Sequence, residues 1–224
     1  MLLGRRIRLD LESLQVKLVR ARRGGYCFEQ TTLFAAVLET LGFAPIRHTA
    51  RVVLIAPRTQ SPRTHMCLTV RLAEGTFVVD PGFGALAPFD PVRLVDAVKA
   101  DDGTTHWMAH DGAHWTLRTR QDGKIVDCWV TSFEHNNTID FEVGNHYTAT
   151  HPDSPFVNRL MLRALTPEGR VTVMNRDVTF RDASGVRTTQ LAARGALRTL
   201  LSERFGIDLP EADTLRVPSI PEWG

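Results

Sequence analysis

The order of the two hydrophobic periods constrains this chain most. Helical spacing dominates up to Leu41 and returns near the C-terminus, while β-branched and alternating runs fill the middle. Alternating strands and helices would predict a parallel sheet, whereas helices first and strands second predict an α+β fold. Residues 10–22 place Leu11, Leu14, Leu18 and Val19 at helical spacing, with Asp10 as N-cap and Gly24-Gly25 as terminator. A second helix is predicted over 27–41, with Phe34, Leu38 and Leu41 on one face and Gly42 as its C-terminal glycine. Strands are predicted over 46–56, 67–72 and 76–79, the last two joined by the short gap Ala73-Glu74-Gly75. Prolines 81, 88 and 91 punctuate the chain beyond them. Residues 114–119 and 124–130 flank Gln121-Asp122-Gly123, a hairpin signal. Residues 138–150 are ambiguous and compatible with a helix. Residues 171–174 and 178–180 read as strands, Gly185 as a turn, and 191–205 as a last helix carrying Leu191, Leu197, Leu200 and Leu201.

Composition narrows the function classes. With 224 residues the chain has one large domain or two small ones, enough for a core without metal or disulfide staples. Its 27 basic and 25 acidic residues leave a net charge of +2, which does not suggest a nucleic-acid or membrane-surface protein. No apolar run approaches a transmembrane length, and Arg5, Arg6 and Arg8 precede no long apolar segment, so no signal peptide is predicted. Three cysteines fit a reducing compartment, and a cytoplasmic protein is expected.

Cys27 follows Arg22-Arg23-Gly24-Gly25-Tyr26 and opens the second helix. Helix N-terminus and nearby arginines both favour a thiolate, and the glycines permit a tight turn that leaves the sulfur reachable. The competing reading is a small buried core residue. His65 starts one strand of the 67–79 hairpin and Asp80 ends the other, so the pairing sets them side by side, as a base and its orienter require. Taken singly, the histidine reads as a surface residue and the aspartate as a turn former. Cys67 shares the face of His65 among apolar neighbours, as a core residue, and Cys128 has no visible partner.

Other patterns carry less. Gly82-Phe83-Gly84-Ala85-Leu86-Ala87 matches a relaxed dinucleotide fingerprint, but Pro88 and Pro91 would interrupt the helix that must follow. His106, His110 and His114 would line a metal face only on a helix, and Asp111-Gly112 breaks one, so no metal is expected. Asn136-Asn137-Thr138 is a sequon without a secretory context, and the N-terminal arginines read as a solvated face.

Three blocks in order, Arg23-Gly24-Gly25-Tyr26-Cys27-Phe28-Glu29, Thr64-His65-Met66 and Val79-Asp80-Pro81-Gly82-Phe83-Gly84, resemble the arylamine N-acetyltransferases. Residues 147–156 resemble the segment after that family's barrel, and Thr166-Pro167-Glu168-Gly169-Arg170 follows as it does there. The resemblance implies a cysteine-protease-like core with N-terminal helices, a central antiparallel β-barrel and a C-terminal α/β lid. The corresponding segments are a helical part over 1–45, a barrel over 46–135, and a linker and lid over 136–224.

It also implies a ping-pong acetyl transfer from acetyl-CoA, as co-substrate, to an arylamine or hydrazine. Cys27 would be the nucleophile, His65 the base and Asp80 the orienter. Tyr26 and Phe83 would line the acceptor pocket, and Thr64, Gly82, Gly84, Tyr147 and Ser154 would lie near the coenzyme. Against the family pattern, helices carrying a Pro-Phe-Glu-Asn stretch are absent before Leu2, and loss of that cover would favour self-association through exposed apolar surface. Thr31 and Pro155 also depart from common residues. Three alternatives share the Cys–His–Asp order: an amide synthase releasing a carrier-bound polyketide chain, a cysteine-protease- or transglutaminase-like hydrolase, and an inactive truncated homologue.

Overall fold

A computed structural model describes residues 1–95, 105–166 and 169–223. Pro167 and Glu168 of the expected block at 166–170 lie outside the described residues. The chain divides into two compact units. One comprises Leu9–Leu14 and Gly25–Asn145, and the other Met1–Arg8, Gln15–Gly24 and His146–Gly224. These units cut across the three segments expected from the sequence, because short N-terminal stretches group with residues far along the chain.

The first unit holds α1 (Leu11–Leu14), α2 (Cys27–Thr40) and a seven-stranded sheet. Its strands are β1 (Ile46–Val52), β2 (His65–Leu72), β3 (Gly75–Val79), β4 (Val92–Arg93), β5 (His106–His110), β6 (Trp115–Gln121) and β7 (Lys124–Thr131). They run in the order β4-β3-β2-β1-β7-β6-β5, each antiparallel to its neighbour. The two edge strands, β4 and β5, approach each other, so the sheet is a nearly closed barrel. Ala50, Cys67, Val78, Met108, Leu117, Cys128 and Trp129 fill it. The unit matches the expected α+β class.

Turn chemistry fixes the registers. Asp122 and Gly123 both have positive φ, 50° and 78°, as a type I′ turn requires, and Gln121 pairs with Lys124 across it. Leu72 pairs with Gly75, whose φ is 137°, so the β2–β3 hairpin closes as the sequence predicts. The register of β6 against β7 slips once. Leu117 pairs with Trp129 but Arg118 with Asp127, which leaves Cys128 as the extra residue of a β-bulge.

The helices depart from the sequence reading in detail. The Asp10 carboxylate accepts the Ser13 N–H at 3.0 Å, as an N-cap does, but the α-helix ends at Leu14 and a π-helical stretch follows over Gln15–Arg20. The wider turn breaks the expected periodicity, and only Leu14 of the expected apolar set is buried. In α2 the buried residues are Cys27, Phe28, Glu29, Thr31 and Ala35, not the face of Phe34, Leu38 and Leu41. That face can be part polar because Thr31 Oγ1 donates to the Met66 carbonyl at 3.1 Å. The Gly42 N–H bonds the Glu39 carbonyl and the Phe43 N–H the Leu38 carbonyl, a Schellman ending built on the Gly42 φ of 87°. Residues 138–150 are helical, as α3 (Thr138–Thr150).

In the second unit, β8 (Met161–Thr166), β9 (Gly169–Met174), β10 (Asp177–Asp182) and β11 (Gly185–Gln190) form an antiparallel meander. A short α4 (Pro155–Asn158) precedes it. The last helix, α5, spans Arg194–Phe205, so Leu191 lies before it. Leu191, Leu197 and Leu201 pack with Val171, Val173, Val178 and Trp223 into that unit's own core. Among the described residues, no helix is long and apolar enough to cross a membrane.

Candidate active site

The β2–β3 hairpin carries His65 on its first residue and Asp80 just beyond its last. Antiparallel pairing of Leu68 with Val79 brings these two ends together, and His65 Nε2 lies 2.8 Å from Asp80 Oδ2. Both residues are 2% exposed. The same carboxylate oxygen accepts the indole N–H of Trp129 at 2.8 Å, and Oδ1 accepts the Gly82 N–H at 3.3 Å. Three donors from three parts of the chain thus satisfy a buried anion.

Cys27 is the first residue of α2, as expected, and is 4% exposed. Its Sγ lies 3.8 Å from the Thr64 carbonyl, and Cys27 is near enough to His65 to help raise the imidazole's pKa. Nε2 is engaged by Asp80, which leaves Nδ1 as the ring nitrogen that Asp80 does not hold. The turn that presents Cys27 is held on both sides. The Tyr26 N–H donates to the Glu29 carboxylate at 3.3 Å, and the Tyr26 hydroxyl donates to the Asn145 side-chain oxygen. A Cβ at Gly82 would lie only 2.4 Å from Cys27 Cα, so the loop after β3 presses its backbone against the start of α2. No residue larger than glycine fits at that position.

Electrostatics separates the three cysteines. Burial pushes the Cys128 thiol up to about 12 and the Cys67 thiol well above its ordinary value, with the Asp80 charge adding to both. Those two stay protonated at neutral pH, and Cys27 is the cysteine that acts on the His65 imidazole. For His65, burial alone would pull the pKa down. The Asp80 charge and hydrogen bond, then Cys27, outweigh it and raise the value to about 10. The Tyr26 phenol is pushed far up by burial, with Cys27 and Glu29 contributing, so it stays a neutral donor.

The other expected site residues fall as follows. The Phe83 ring meets the His65 ring edge-to-face at 5.1 Å. Tyr26 is buried, with its ring edge-on to Phe28 at 5.5 Å. Thr64 adjoins His65 and supplies the carbonyl that faces Cys27. Gly84 takes a φ of 79° with open space where a Cβ would stand. Tyr147 and Ser154 belong to the other unit. There Tyr147 stacks on His151 at 4.3 Å, and Ser154 caps α4, accepting from the Phe156 N–H and donating to the Thr148 carbonyl. His106 and His110 lie on β5, a strand, so the four-residue spacing makes no shared helical face. Among the described residues, no three His, Cys, Asp or Glu side chains gather as metal ligands.

Sequence reasoning missed Trp129, Glu29 and Asn145. Glu29 was recoverable, because a glutamate three residues after an N-cap is the capping-box pattern. Trp129 and Asn145 carry no local signal; each reaches the site across a long separation in sequence.

A protein-family model described as N-acetyltransferase matches residues 1–214. The arylamine N-acetyltransferase of Escherichia coli is 34% identical over 214 residues, covering 94% of this chain and 76% of the relative. That of Mycobacterium tuberculosis is 37% identical over 216 residues, covering 91% and 74%. Among solved structures, the Mycobacterium tuberculosis arylamine N-acetyltransferase superposes with a TM-score of 0.87 at 33% identity, covering 99% of this chain and 84% of that one. The Mycobacterium marinum enzyme in complex with CoA superposes with a TM-score of 0.85 at 30% identity, covering 94% and 80%. Likeness of this extent in both sequence and fold means that the chain belongs to the arylamine N-acetyltransferase family of acyltransferases.

Proposed function

We propose that the chain transfers an acetyl group from acetyl-CoA to an arylamine or hydrazine nitrogen by a ping-pong route through acetyl-Cys27. The observation that carries the reading is the buried His65–Asp80 pair, with Nε2 at 2.8 Å from Oδ2, and Cys27 interacting with the same imidazole from the first residue of α2. Relatives named arylamine N-acetyltransferases and a structural neighbour solved with CoA support the donor and acceptor classes.

In the first half-reaction His65, held in its charged form by Asp80, already carries the proton given up by Cys27, and the sulfur attacks the carbonyl carbon of the thioester. The new C–S bond forms, the bond to the coenzyme sulfur breaks, and the departing coenzyme takes the proton from His65. In the second half the amine nitrogen attacks acetyl-Cys27. The N–C bond forms, the C–S bond breaks, and His65 receives the proton lost by the nitrogen. An arylamine is unprotonated at neutral pH and needs only modest base assistance, which matches a site with a single histidine. Asp80 fixes the imidazole tautomer and favours its charged form. In this reading Phe83 and Tyr26 wall the acceptor, and Thr64, Gly82 and Gly84 serve the coenzyme.

The test is an initial-rate study with acetyl-CoA and a ring-substituted aniline, following release of the coenzyme thiol. Parallel double-reciprocal lines are expected, with His65→Gln slower by about a thousandfold or more. Intersecting lines, or an unimpaired His65→Gln, contradict the reading.

A further inference from the structure

We propose that Trp129 is a positioning residue for the Cys27–His65 pair: its indole N–H holds the Asp80 carboxylate and shares the negative charge that would otherwise bind the imidazolium more tightly. The inference rests on the acetyl-transfer reading for its biological purpose, but its geometry stands apart from it.

Four observations carry it. The Trp129 Nε1–H donates to Asp80 Oδ2 at 2.8 Å, the same oxygen that takes His65 Nε2 at 2.8 Å. Trp129 is 0% exposed and Asp80 2% exposed, so no solvent donor can substitute for the indole. The Trp129 and His65 rings lie 6.0 Å apart at 37°, so the indole also flanks the imidazole. Finally, the β7 bulge falls on Cys128, directly before Trp129. In a regular strand neighbouring side chains point to opposite faces. Here Cys128 and Trp129 are both fully buried in one core cluster, so the bulge is what re-aims the chain at Asp80.

Two donors on one carboxylate oxygen divide its charge between them. Without the indole N–H, Oδ2 is left to His65 and to the weaker influence of its surroundings. The imidazolium is then held more tightly and keeps its proton to higher pH. Among the described residues, three thiols interact electrostatically with this pair. Cys27 on α2 faces His65, and Cys67 on β2 and Cys128 on β7 face Asp80, both kept as thiols by burial. With Cys67 and Cys128 neutral, the indole N–H is the group that tunes the charge on Oδ2.

The experiment replaces Trp129 with 3-benzothienylalanine, which keeps the shape of the bicyclic ring and puts sulfur where the N–H was. Trp129→Phe is a second variant. Each full-length protein is alkylated with iodoacetamide across pH, with Cys27 modification located by mass spectrometry. In parallel, acetyl transfer is measured with acetyl-CoA and an aniline. The alkaline step in Cys27 reactivity, which marks loss of the His65 proton, should move up by about half a pH unit or more in the sulfur isostere. Acetyl transfer should fall about tenfold. A step that stays in place or moves down overturns the proposal. A merely structural tryptophan would lower the melting temperature of Trp129→Phe and leave the isostere's step unmoved, which overturns it too. If the wild type transfers no acetyl group yet the step moves up as stated, the acetyl-transfer reading falls and the positioning role stands.

Discussion

Two buried histidines of the barrel unit are displaced in opposite directions, and their partners explain the difference. His48 is lowered from 6.5 to about 4 by burial, with only neutral partners: Thr69 Oγ1 at 2.8 Å from Nε2 and the Glu134 carbonyl at 3.3 Å from Nδ1. His65, despite complete burial, is raised from 6.5 to about 10 because Asp80 and Cys27 outweigh desolvation. The signs follow from linkage. The His65 contribution is fully present below its unfolded value of 6.5 and is lost as pH rises through about 10. The His48 contribution is present above 6.5 and is lost as pH falls through about 4. Thermal melts across pH should therefore show the stability gap between wild type and His65→Gln widest below pH 6.5 and closing toward pH 10. A change of about 2–4 °C is expected for each kcal/mol. A gap independent of pH would contradict the assignment.

At this scale the sequence discloses His65 and Asp80 because one short hairpin joins them. A two-residue turn leaves the pairing little choice, so a local pattern specifies a tertiary contact. Trp129 is illegible for the opposite reason. It stands 49 residues from Asp80, and the bulge that turns it inward leaves no trace in the period of residues 124–130.

At the scale of elements, α3 is the instructive case. Residues 138–150 read ambiguously because Gly144 and β-branched residues weaken the helical signal. Contact explains why the glycine is there. A Cβ at Gly144 would lie 2.8 Å from Phe28 Cζ and 3.0 Å from the Arg63 carbonyl oxygen, and Phe28 is itself fully buried beside Cys27. An exposed mid-helix glycine gains about 1 kcal/mol on replacement by alanine. Here overpacking against an immobile ring reverses the sign, and Gly144→Ala should lose about 1–3 kcal/mol by denaturant titration. A stabilised Gly144→Ala would show that Phe28 has room to move. The hairpins were legible because Asp122-Gly123 and the Gly75 turn have backbone demands that few residues meet. The π-helical stretch over Gln15–Arg20 was not, since Leu18 and Val19 keep α-helical spacing with Leu11 and Leu14 in sequence and the stretch departs from an α-helix in its hydrogen bonds. The buried face of α2 was misread because buried threonine and glutamate count as polar until their partners are known.

Over the whole molecule, the α+β class was legible from the succession of helical and strand patterns, and the barrel from the resemblance to the arylamine N-acetyltransferases. The division into units was not. Residues 1–8 and 15–24 group with residues 146–224, and nothing in a linear pattern marks such distant association. Each unit has its own core, one filled by Trp129 and its barrel neighbours and the other by Leu197, Leu201 and Trp223. The barrel unit holds Cys27, His65 and Asp80, and the family likeness runs through residues of both. The proposed chemistry depends on one bond above all, between the acetyl carbonyl carbon and the Cys27 sulfur. The measurement closest to it is intact mass spectrometry of the protein mixed with acetyl-CoA alone, followed by addition of an arylamine. Wild type should gain one acetyl group and lose it when the amine arrives, and Cys27→Ala should gain none. A folded wild type that acquires no acetyl group, or a Cys27→Ala variant that acquires one, would contradict the account.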